Sequence, residues 1–282
     1  MDIPSHIRQD LLWWLNAVKN SVNPIRDEKY LLEIFSDASK TGWGVACRDE
    51  TSNGQWSDVE KDLHINLLEL MAAFFGLKIF AKHLKNCQIL LRIDNTTAIS
   101  YINRMGGIRF PNLNKIAREL WQWCEQRNIY VFASYISSEN NEIADAESRA
   151  THPDVEWELA NRAFSKIIHK FGSPSIDLFA SRINRKCDLY VSWKKDPDAY
   201  AVNAFTLNWR NLNFYAFPPF SVILKSLRKI ITDEAEGIVV VPYWPTQPWF
   251  PLFENLHLHG LPWLQADCQD GTSKKRHPDC FY

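Results

Sequence analysis

The sequence predicts an α/β protein with two domains: a mixed β-sheet with flanking helices, followed by a second, smaller α/β domain. Its 282 residues are enough for two ordinary domains or one large one. Hydrophobic residues make up 46% of the chain and charged residues 23%, which is typical of a globular protein rather than a disordered one. Strand patterns and helix patterns alternate along both halves, and this alternation predicts the α/β class.

The first predicted domain covers residues 31–150 and follows the order βββ-α-β-α-β-α. Turn residues such as Gly and Asn-Gly separate the first strands, and apolar residues recur at helical spacing in the helices. The predicted elements are three antiparallel strands over 31–60, a helix at 66–84, a strand at 87–95, a helix at 113–127, a strand at 129–136 and a short helix from about Asn140.

The second predicted domain covers residues 160–265 and contains a βαβ unit. Its predicted elements are strands at 175–181, 188–193 and 213–217, a helix at 221–235 and a strand at 237–242. The turn Phe217-Pro218-Pro219-Phe220 follows the third of these strands. Because open α/β sheets bind ligands at the carboxyl ends of their strands, this turn is a candidate ligand loop.

Three further segments complete the predicted organisation. Residues 1–30 are a connection segment ahead of the first domain. Residues 151–159 are polar and contain Pro153, which predicts a linker between the domains. Residues 266–282 are also polar and predict a disordered tail.

The charge balance and the apolar runs exclude several classes of protein. There are 32 Lys and Arg residues against 33 Asp and Glu residues, so the whole chain has no basic field that would attract nucleic acid or a membrane surface. No apolar stretch reaches the roughly 18 residues of a membrane span. Six cysteines are scattered singly, which indicates reduced thiols and an intracellular protein, cytoplasmic or nuclear. We therefore expect neither secretion nor a membrane partner.

Four single carboxylates stand where a core-building sequence has no use for them. Asp37 and Asp94 end two predicted strands, Glu69 lies among leucines in the long helix, and Asp145 lies in the last helix. Taken one at a time, such residues are usually turn, cap or solvent-facing residues. Brought together, they would repel one another and lose hydration unless cations neutralised them. Magnesium prefers oxygen ligands, so the combined pattern favours a two-metal site for phosphodiester chemistry.

Residues 31–150 resemble the type I ribonuclease H domain, on the motifs FSDAS, LLELMAA, IDNTTA and NEIADAESR. The resemblance implies a domain that holds two Mg²⁺ ions, or Mn²⁺ in their place, and hydrolyses the RNA strand of an RNA–DNA hybrid. The catalytic and metal-binding residues that it implies are Asp37, Glu69, Asp94 and Asp145. Asn66 and Asn95 are candidates for hybrid contacts, and they serve equally well as turn and cap residues.

A narrower resemblance extends over about residues 10–260. YISSENNEIADAESR, the stretch from DLFAS to FTLNW, and FYAFPPFS are similar to the DIRS group of tyrosine-recombinase retrotransposons. In that group a reverse transcriptase precedes the ribonuclease H domain, which implies a reverse transcriptase partner in cis or in trans. Many ribonucleases H place a histidine in the loop before the last Asp, but here that loop reads SYISSENN. Glu139 or a water molecule is the alternative group for proton transfer.

The Phe217-Pro218-Pro219-Phe220 turn is similar to the (Asp/Asn)-Pro-Pro-(Tyr/Phe) loop of DNA adenine methyltransferases. In that family the first residue accepts a hydrogen bond from the adenine amino group, and the aromatic fourth residue stacks on the flipped base. Phe217 cannot accept this bond, and no Gly-rich cofactor turn is recognisable in the sequence. A degenerate methyltransferase-like domain is therefore expected for residues 160–265.

Residues 161–195 are rich in basic side chains, with interleaved aromatic residues that could stack on bases. Their acidic residues are Asp177 and Asp188, and their basic residues are Arg162, Lys166, Lys170, Arg182, Arg185, Lys186, Lys194 and Lys195. This pattern predicts either a site for single-stranded nucleic acid or an ordinary solvated surface.

Three hypotheses for function follow from the sequence. The first is a retroelement-derived, metal-dependent ribonuclease H acting on RNA–DNA hybrids. The second is a catalytically inactive remnant that binds nucleic acid, and the third is a DNA adenine methyltransferase. They differ in whether magnesium supports cleavage, in whether binding occurs without turnover, and in whether S-adenosylmethionine binds.

Overall fold

A computed structural model describes residues 29–150 and 158–256, scattered positions between 7 and 27, and the short segments 265–266 and 280–281. The chain divides into two compact units, 1–30 and 31–282. In the first unit, the Val18 N–H donates to the Trp14 carbonyl at 2.9 Å. Most of the predicted linker and most of the predicted disordered tail lie outside the described residues. The finer domain boundaries within the second unit stay a prediction.

The first sheet of the second unit has five strands in the order β3-β2-β1-β4-β5. Strand β1 is antiparallel to β2, which is antiparallel to β3, whereas β4 is parallel to both β1 and β5. The strands are β1 (Leu32–Ala38), β2 (Gly42–Cys47), β3 (Glu50–Gln55), β4 (Cys87–Ile93) and β5 (Ile129–Tyr135). Residues 31–150 thus form a mixed sheet with flanking helices, as the sequence predicts.

Helices lie against this sheet. They are α1 (Asp58–Lys61), α2 (Ile65–Phe80), α3 (Thr96–Asn103), α4 (Pro111–Glu125) and α5 (Glu142–Arg149). The sequence predicted α2, α4 and α5 but neither α1 nor α3. Helix α2 begins after His64, whose Nδ1 accepts the Asn66 N–H at 3.2 Å, and α4 begins at Pro111, a residue favoured at this position.

The core of this region lies between the sheet and helices α2 and α4. Ile34 and Leu91 of the sheet, Leu70 and Leu77 of α2, and Leu120 of α4 are all fully buried in it. Helix α2 differs from an ordinary amphipathic helix because nearly every residue from Leu67 to Leu77 is buried. A helix that is apolar on all sides is covered on all sides, so α2 must contact more than its own sheet.

The second sheet has five strands in the order β10-β9-β6-β7-β8, and all neighbouring strands are parallel. Its elements are α6 (Asn161–Phe171), β6 (Ile176–Asp177), β7 (Leu189–Ser192), β8 (Ala201–Val202), β9 (Phe214–Ala216), α7 (Ile223–Asp233) and β10 (Gly237–Val239). Numbered from its own first strand, the sheet has the order 3-2-1-4-5 of doubly wound α/β folds. The sequence predicted the strands at both ends of α7 and did not predict α6 or β8.

The predicted βαβ unit is confirmed by the structure. Strands β9 and β10 are parallel and are joined through the Pro-Pro turn and α7. The turn follows β9 directly, on the carboxyl edge of the sheet. Phe164 of α6 packs against Tyr215 on one face of the sheet, and Trp209 packs against Phe214 on the other.

The last described elements are β11 (Val241–Pro242), α8 (Phe250–Leu256), β12 (Gln265–Ala266) and β13 (Cys280–Phe281). Strand β13 pairs antiparallel with both β11 and β12. The disordered tail at residues 266–282 stays a prediction, since the structure describes residues 266, 280 and 281 of this segment.

Candidate metal centre

Three of the four predicted carboxylates meet at one edge of the first sheet. One carboxylate oxygen from each of Asp37, Glu69 and Asp94 lies within 4.8 Å of the others. Asp37 lies near the end of β1, and Asp94 directly follows β4, the parallel neighbour of β1. Because the carboxyl ends of parallel strands meet at one edge, the sheet brings these two acids together. Glu69 reaches them from α2, which lies across β1.

Glu69 is the most deeply buried member of the cluster. It is 4% exposed, and its Oε2 has no hydrogen-bond partner among the described residues. Burial, with the nearby charges of Asp37 and Asp94, raises the pKa of Glu69 to about 9. At neutral pH this carboxyl is therefore protonated unless a cation is present to compensate its charge.

Asp37 is in a similar environment. It is 5% exposed, and burial raises its pKa, with further contributions from the charges of Asp94 and Asp145. A hydrogen bond with the Ser148 side chain acts in the opposite direction and lowers the pKa. The net direction is upward, so the site disfavours negative charge and favours a group that neutralises it.

The donors present fit a hard divalent cation. All three groups offer carboxylate oxygens, the ligands that Mg²⁺ prefers, and the orphaned Oε2 of Glu69 is a buried oxygen with no other partner. Among the described residues, the groups that come together here are carboxylates, without a thiol or an imidazole. The predicted assignment of these three acids as metal ligands stays a prediction, and the geometry is compatible with it.

Asp145 lies beside this cluster rather than in it. It is close enough to contribute to the raised pKa of Asp37. Its carboxylate, however, accepts a hydrogen bond from Arg149 at 2.5 Å, one helical turn further along α5. Since the Arg149 side chain is 69% exposed, this ion pair is weak and exchangeable. The structure therefore places the fourth predicted acid at the rim of the site, held by an arginine.

Helix α5 is held in place by two close contacts with the sheet. An added Cβ at Gly44 of β2 would lie 2.3 Å from the Ala144 carbonyl oxygen and 2.4 Å from the Ser148 nitrogen, so only glycine lets the helix approach this closely. At the start of the helix, the buried Asn141 donates through Nδ2 to the Ser36 carbonyl at 3.1 Å. These contacts fix the position of Asp145 relative to Asp37.

The loop before α5 contributes a residue that sequence reasoning missed. Ser138 donates from its hydroxyl to Oδ2 of Asp94 at 2.8 Å. The sequence analysis singled out Glu139 in this loop, and its side chain is exposed. The only signal for Ser138 was its position in the loop that carries a histidine in many ribonucleases H.

The two predicted hybrid-contact residues lie side by side. Asn95 accepts the Ala98 N–H at 3.0 Å, which caps α3, and its Nδ2 donates to Oδ1 of Asn66 at 3.0 Å. Asn95 follows the candidate ligand Asp94, and Asn66 precedes Glu69 by less than one helical turn. Both residues therefore combine a structural role with a position beside the carboxylates. Their predicted contacts with nucleic acid stay a prediction.

The basic segment 161–195 is partly neutralised within the protein. Arg182, Lys186 and Lys195 form ion pairs with Glu60, Glu158 and Glu50, respectively. Arg185 donates to the Asp188 carbonyl at 2.7 Å. The excess charge available to a nucleic acid is thus smaller than the sequence suggested, because acids distant in the chain fold against these side chains. Binding of single strands there stays a prediction.

The loops on the carboxyl edge of the second sheet are filled with aromatic side chains. Phe220 of the Pro-Pro turn contacts Trp244 with ring centroids 4.7 Å apart, and Phe217 packs against the core beneath α6. After β6, the Phe179 ring lies 6.1 Å from Trp209. The buried Asp177 of β6 accepts the Phe179 and Lys186 N–H groups, and burial raises its pKa to about 6. Asp177 thus braces the loop between β6 and β7 at two points.

The chain was compared with protein-family models and with known proteins, and it is similar in sequence to a viral polyprotein. No protein-family model matches the chain. The chain is 28% identical over 165 residues to the enzymatic polyprotein of Cauliflower mosaic virus, in both strain D/H and strain Strasbourg. This match covers 50% of the chain and 23% of the viral polyprotein, so the chain spans about a quarter of the length of these curated relatives.

Several solved structures of ribonucleases H and of a reverse transcriptase align with part of the chain. RNase H1 from the halophilic archaeon Halobacterium salinarum NRC-1 aligns with 41% of this chain and 92% of its own, at 17% identity and a TM-score of 0.34. LC11-RNase H1 in complex with an RNA/DNA hybrid covers the same shares, at 18% identity and a TM-score of 0.35. The foamy viral protease-reverse transcriptase in complex with an RNA/DNA hybrid aligns with 47% of this chain and 23% of its own, at 12% identity and a TM-score of 0.30.

Within the part of the chain that the structure describes, every helix is too short or too polar to cross a bilayer.

Proposed function

We propose that residues 31–150 form a metal-dependent ribonuclease H that hydrolyses the RNA strand of RNA–DNA hybrids. The observation that carries this proposal is the cluster of Asp37, Glu69 and Asp94, whose carboxylate oxygens lie within 4.8 Å of one another. Burying three ionised acids together costs free energy, and a bound cation would offset that cost. Two of the similar structures are complexes with RNA/DNA hybrids, which is consistent with this substrate.

The proposed metal ligands are Asp37, Glu69 and Asp94, joined by Asp145 once Arg149 releases it. Two Mg²⁺ ions, or Mn²⁺ in their place, would activate the attacking water and stabilise the leaving oxygen of the phosphodiester. Glu69 gives up its proton when the site is loaded, because its pKa of about 9 reflects burial without a cation. Ser138 holds Asp94 in one orientation through its 2.8 Å hydrogen bond.

Substrate recognition is assigned to the side chains beside the acids. Asn66 and Asn95 are hydrogen-bonded to each other at 3.0 Å, which orients both amides at the rim of the cluster. Amide groups can donate to and accept from the 2′-hydroxyls that distinguish an RNA strand from DNA. The loop 134–141 brings no imidazole to the site, so Glu139 or a water molecule takes the proton-transfer role.

The protein is further proposed to derive from a retroelement polyprotein of the DIRS type. Its similarity to a viral enzymatic polyprotein supports the polyprotein origin, and the motifs shared with DIRS elements support the narrower assignment. A reverse transcriptase domain, in cis or in trans, is then the partner that generates the hybrid.

Residues 160–265 have a second candidate function. The strand order 3-2-1-4-5 is that of folds that bind nucleotide cofactors, which favours a methyltransferase-like domain. Phe217, however, offers no hydrogen-bond acceptor to an adenine, and Phe179 follows β6 where such folds usually have a Gly-rich turn. We infer a degenerate domain without methyl transfer. An increase in melting temperature with saturating S-adenosylmethionine would contradict this inference.

The nuclease proposal is tested by cleavage of a labelled RNA–DNA hybrid, with RNA duplex and DNA duplex as controls. Cleavage should require Mg²⁺, stop in EDTA and be restricted to the hybrid. Asp94→Asn should lose at least about 100-fold in rate while keeping the far-UV circular dichroism of the wild type. Asp49→Asn, in the exposed turn between β2 and β3, is the matched control. A folded wild type that binds hybrid and cleaves none would identify an inactive binding remnant instead.

A further inference from the structure

Helix α2 is covered on its outer side by the region 158–256. Arg182, from the loop after β6, donates to both carboxylate oxygens of Glu60, each at 2.8 Å. Its guanidinium also lies over the Phe75 ring of α2, 4.9 Å from the centroid. The two charged side chains are only 17% and 16% exposed. A bidentate, largely buried ion pair of this kind constrains both partners more than a surface pair does.

The loop 194–199 adds a second set of contacts. The Ser52 hydroxyl of β3 donates to the Lys195 carbonyl at 2.5 Å, and Lys195 pairs with Glu50 at 2.6 Å. Beyond the middle of α2, Lys78 pairs with Asp198 at 2.9 Å. These contacts lie on β3 and on the second half of α2. Together with Arg182, they hold the region 158–256 against β3 and one side of α2, whereas α4 packs against another side of this helix.

Glu60 connects these contacts to the segment that leads into α2. It forms a reciprocal capping box with Ser57, whose N–H and hydroxyl both donate to Oε2 at 2.8 Å. Burial acts to raise the pKa of Glu60, but the hydrogen bonds from Arg182 and Ser57 outweigh it and lower the pKa below its usual value. Glu60 is therefore ionised at neutral pH, and its pairing with Arg182 fixes the start of α1.

We propose that the region 158–256 acts as a positioning partner of the nuclease, with Arg182 as the positioning residue that holds the segment from Ser57 to Glu69 in place. Through Glu60 it holds the connection that presents Asn66, and through Phe75 it holds the helix that presents Glu69. This inference rests on the proposed nuclease function for its catalytic consequence. Its structural consequence, a fixed position of Glu69, is measurable without any turnover.

The test uses the full chain and a charge-reversal pair. Arg182→Glu and Glu60→Arg are compared with the double variant, which restores an ion pair of opposite polarity. Arg228→Glu, on an exposed position of α7, is the matched control for the change in charge. Three quantities are measured: backbone hydrogen exchange over residues 58–72, the dissociation constant for Mn²⁺ by calorimetry, and kcat and KM for hybrid cleavage.

We expect Arg182→Glu to speed hydrogen exchange over 58–72 at least tenfold and to weaken Mn²⁺ binding at least fivefold. The double variant should recover the Mn²⁺ affinity to within threefold of the control, and the exchange rates only in part, because Glu60→Arg also removes the capping box with Ser57. In hybrid cleavage, Arg182→Glu should lower kcat more than it raises KM, because the variant displaces Glu69 and leaves the hybrid-binding residues in place. If Arg182→Glu keeps the exchange rates and the Mn²⁺ affinity of the control, the proposal is overturned, whatever the cleavage result.

The proposal stays testable if the single variants do not fold or if the wild type does not cleave. If neither reversed single variant folds, Glu60→Gln serves instead, since it removes the charge and keeps the size. Unchanged hydrogen exchange over residues 58–72 in Glu60→Gln would then overturn the proposal. If the wild type cleaves no hybrid, the nuclease proposal fails, while hydrogen exchange and Mn²⁺ binding still decide whether Arg182 positions the carboxylate cluster.

Discussion

At the level of one residue, the buried carboxyl of Glu69 lowers the stability of the folded protein when no cation is bound. Its carboxyl is placed among the apolar residues of α2, where an ionised group without a partner is costly. The usual solution for a structural residue would be an apolar side chain. The proposed function accounts for a carboxyl at this position, since a cation that binds the folded protein would offset the cost.

The pKa of Glu69 predicts how stability depends on pH in the absence of metal. This pKa is about 9 in the folded protein against 4.5 in an unperturbed carboxyl, so the folded state holds the proton more tightly. Stability is then fully present below about pH 4.5 and falls as the pH rises towards 9. Glu69→Gln removes this titration and should stabilise the metal-free protein at pH 8 by at least about 1 kcal/mol.

The measurement is urea unfolding in EDTA at pH 5 and at pH 8. The stabilisation by Glu69→Gln should be larger at pH 8, and Glu119→Gln, on the exposed face of α4, should show no such increase. A variant that is less stable than the wild type at pH 8 would mean that Glu69 is ionised and paired in the folded protein, contrary to its orphaned Oε2.

The ion pair between Asp145 and Arg149 predicts a small gain in Mn²⁺ affinity when the arginine is replaced. Arg149→Gln frees the Asp145 carboxylate and removes a positive charge beside the acids, and both changes favour a cation. Because the arginine is 69% exposed, the pair is worth at most about 1 kcal/mol, which limits the gain in Mn²⁺ affinity to about fivefold. Calorimetry measures it, with Lys115→Gln as the control. Weaker Mn²⁺ binding would show that Arg149 supports the site.

At the level of elements, the closest approach in the site lies between β2 and α5. All six residues of β2 are buried, because α5 covers one of its faces and α2 the other. Gly44 is where the backbone of α5 meets the strand. The position of Asp145 therefore depends on a residue that has no side chain.

Gly44→Ala should displace α5 and, with it, Asp145. The added methyl group would lie 2.3 Å from a backbone oxygen that no rotamer change can move, so the helix itself must shift. We expect a loss of about 1–3 kcal/mol in the free energy of unfolding together with weaker Mn²⁺ binding. Gly172→Ala separates clash from backbone strain, since Gly172 has a φ of +86° and no atom within 4 Å of the added Cβ. Unchanged Mn²⁺ binding in Gly44→Ala would refute the dependence of the site on α5.

The elements that the sequence predicted are those with strong local signals. Helix α2 has a long apolar pattern, and four strands of the first sheet are largely apolar runs bounded by turn residues, whereas β3 reads ETSNGQ and is marked by its Asn-Gly turn signal. Helix α3 was missed because TTAISYIN is short and rich in β-branched residues, which have low helix propensity. Its start depends on a cap, Asn95, which the sequence analysis could only assign as a turn, cap or binding residue.

The candidate site was predictable for a similar reason. An acid at a strand end or within an apolar helix stands out against the local pattern, which is how Asp37, Glu69 and Asp94 were found. The pairing of Arg182 with Glu60 has no local signature, because the two residues are separated by 122 positions in the chain. Pairing of this kind depends on how the two sheets come together, and the linear charge pattern of residues 161–195 gave no indication of it.

At the level of the whole molecule, residues 31–256 lie in one compact unit although they contain two separate sheets. The ion pairs of Arg182, Lys195 and Lys78 all cross from one sheet region to the other. The guanidinium of Arg182 and the ammonium of Lys195 also lie over the Phe75 and Phe80 rings of α2, so the junction combines ion pairs with cation–π contacts. Such a junction couples the stabilities of the two regions.

This coupling predicts a single unfolding transition for both regions. Trp43 and Trp56 report on the first sheet and Trp209 on the second, and all three are buried. Urea transitions followed by tryptophan fluorescence, and by far-UV circular dichroism, should coincide in the wild type. Arg182→Met keeps most of the apolar stem but leaves Glu60 without its charged partner, and we expect a loss of about 1–3 kcal/mol. It should also separate the transitions, because the junction then loses its most buried polar contact. If the transitions coincide in both proteins and their midpoints are unchanged, the regions are coupled through the apolar contacts alone. If the wild type itself shows two transitions, each region folds independently.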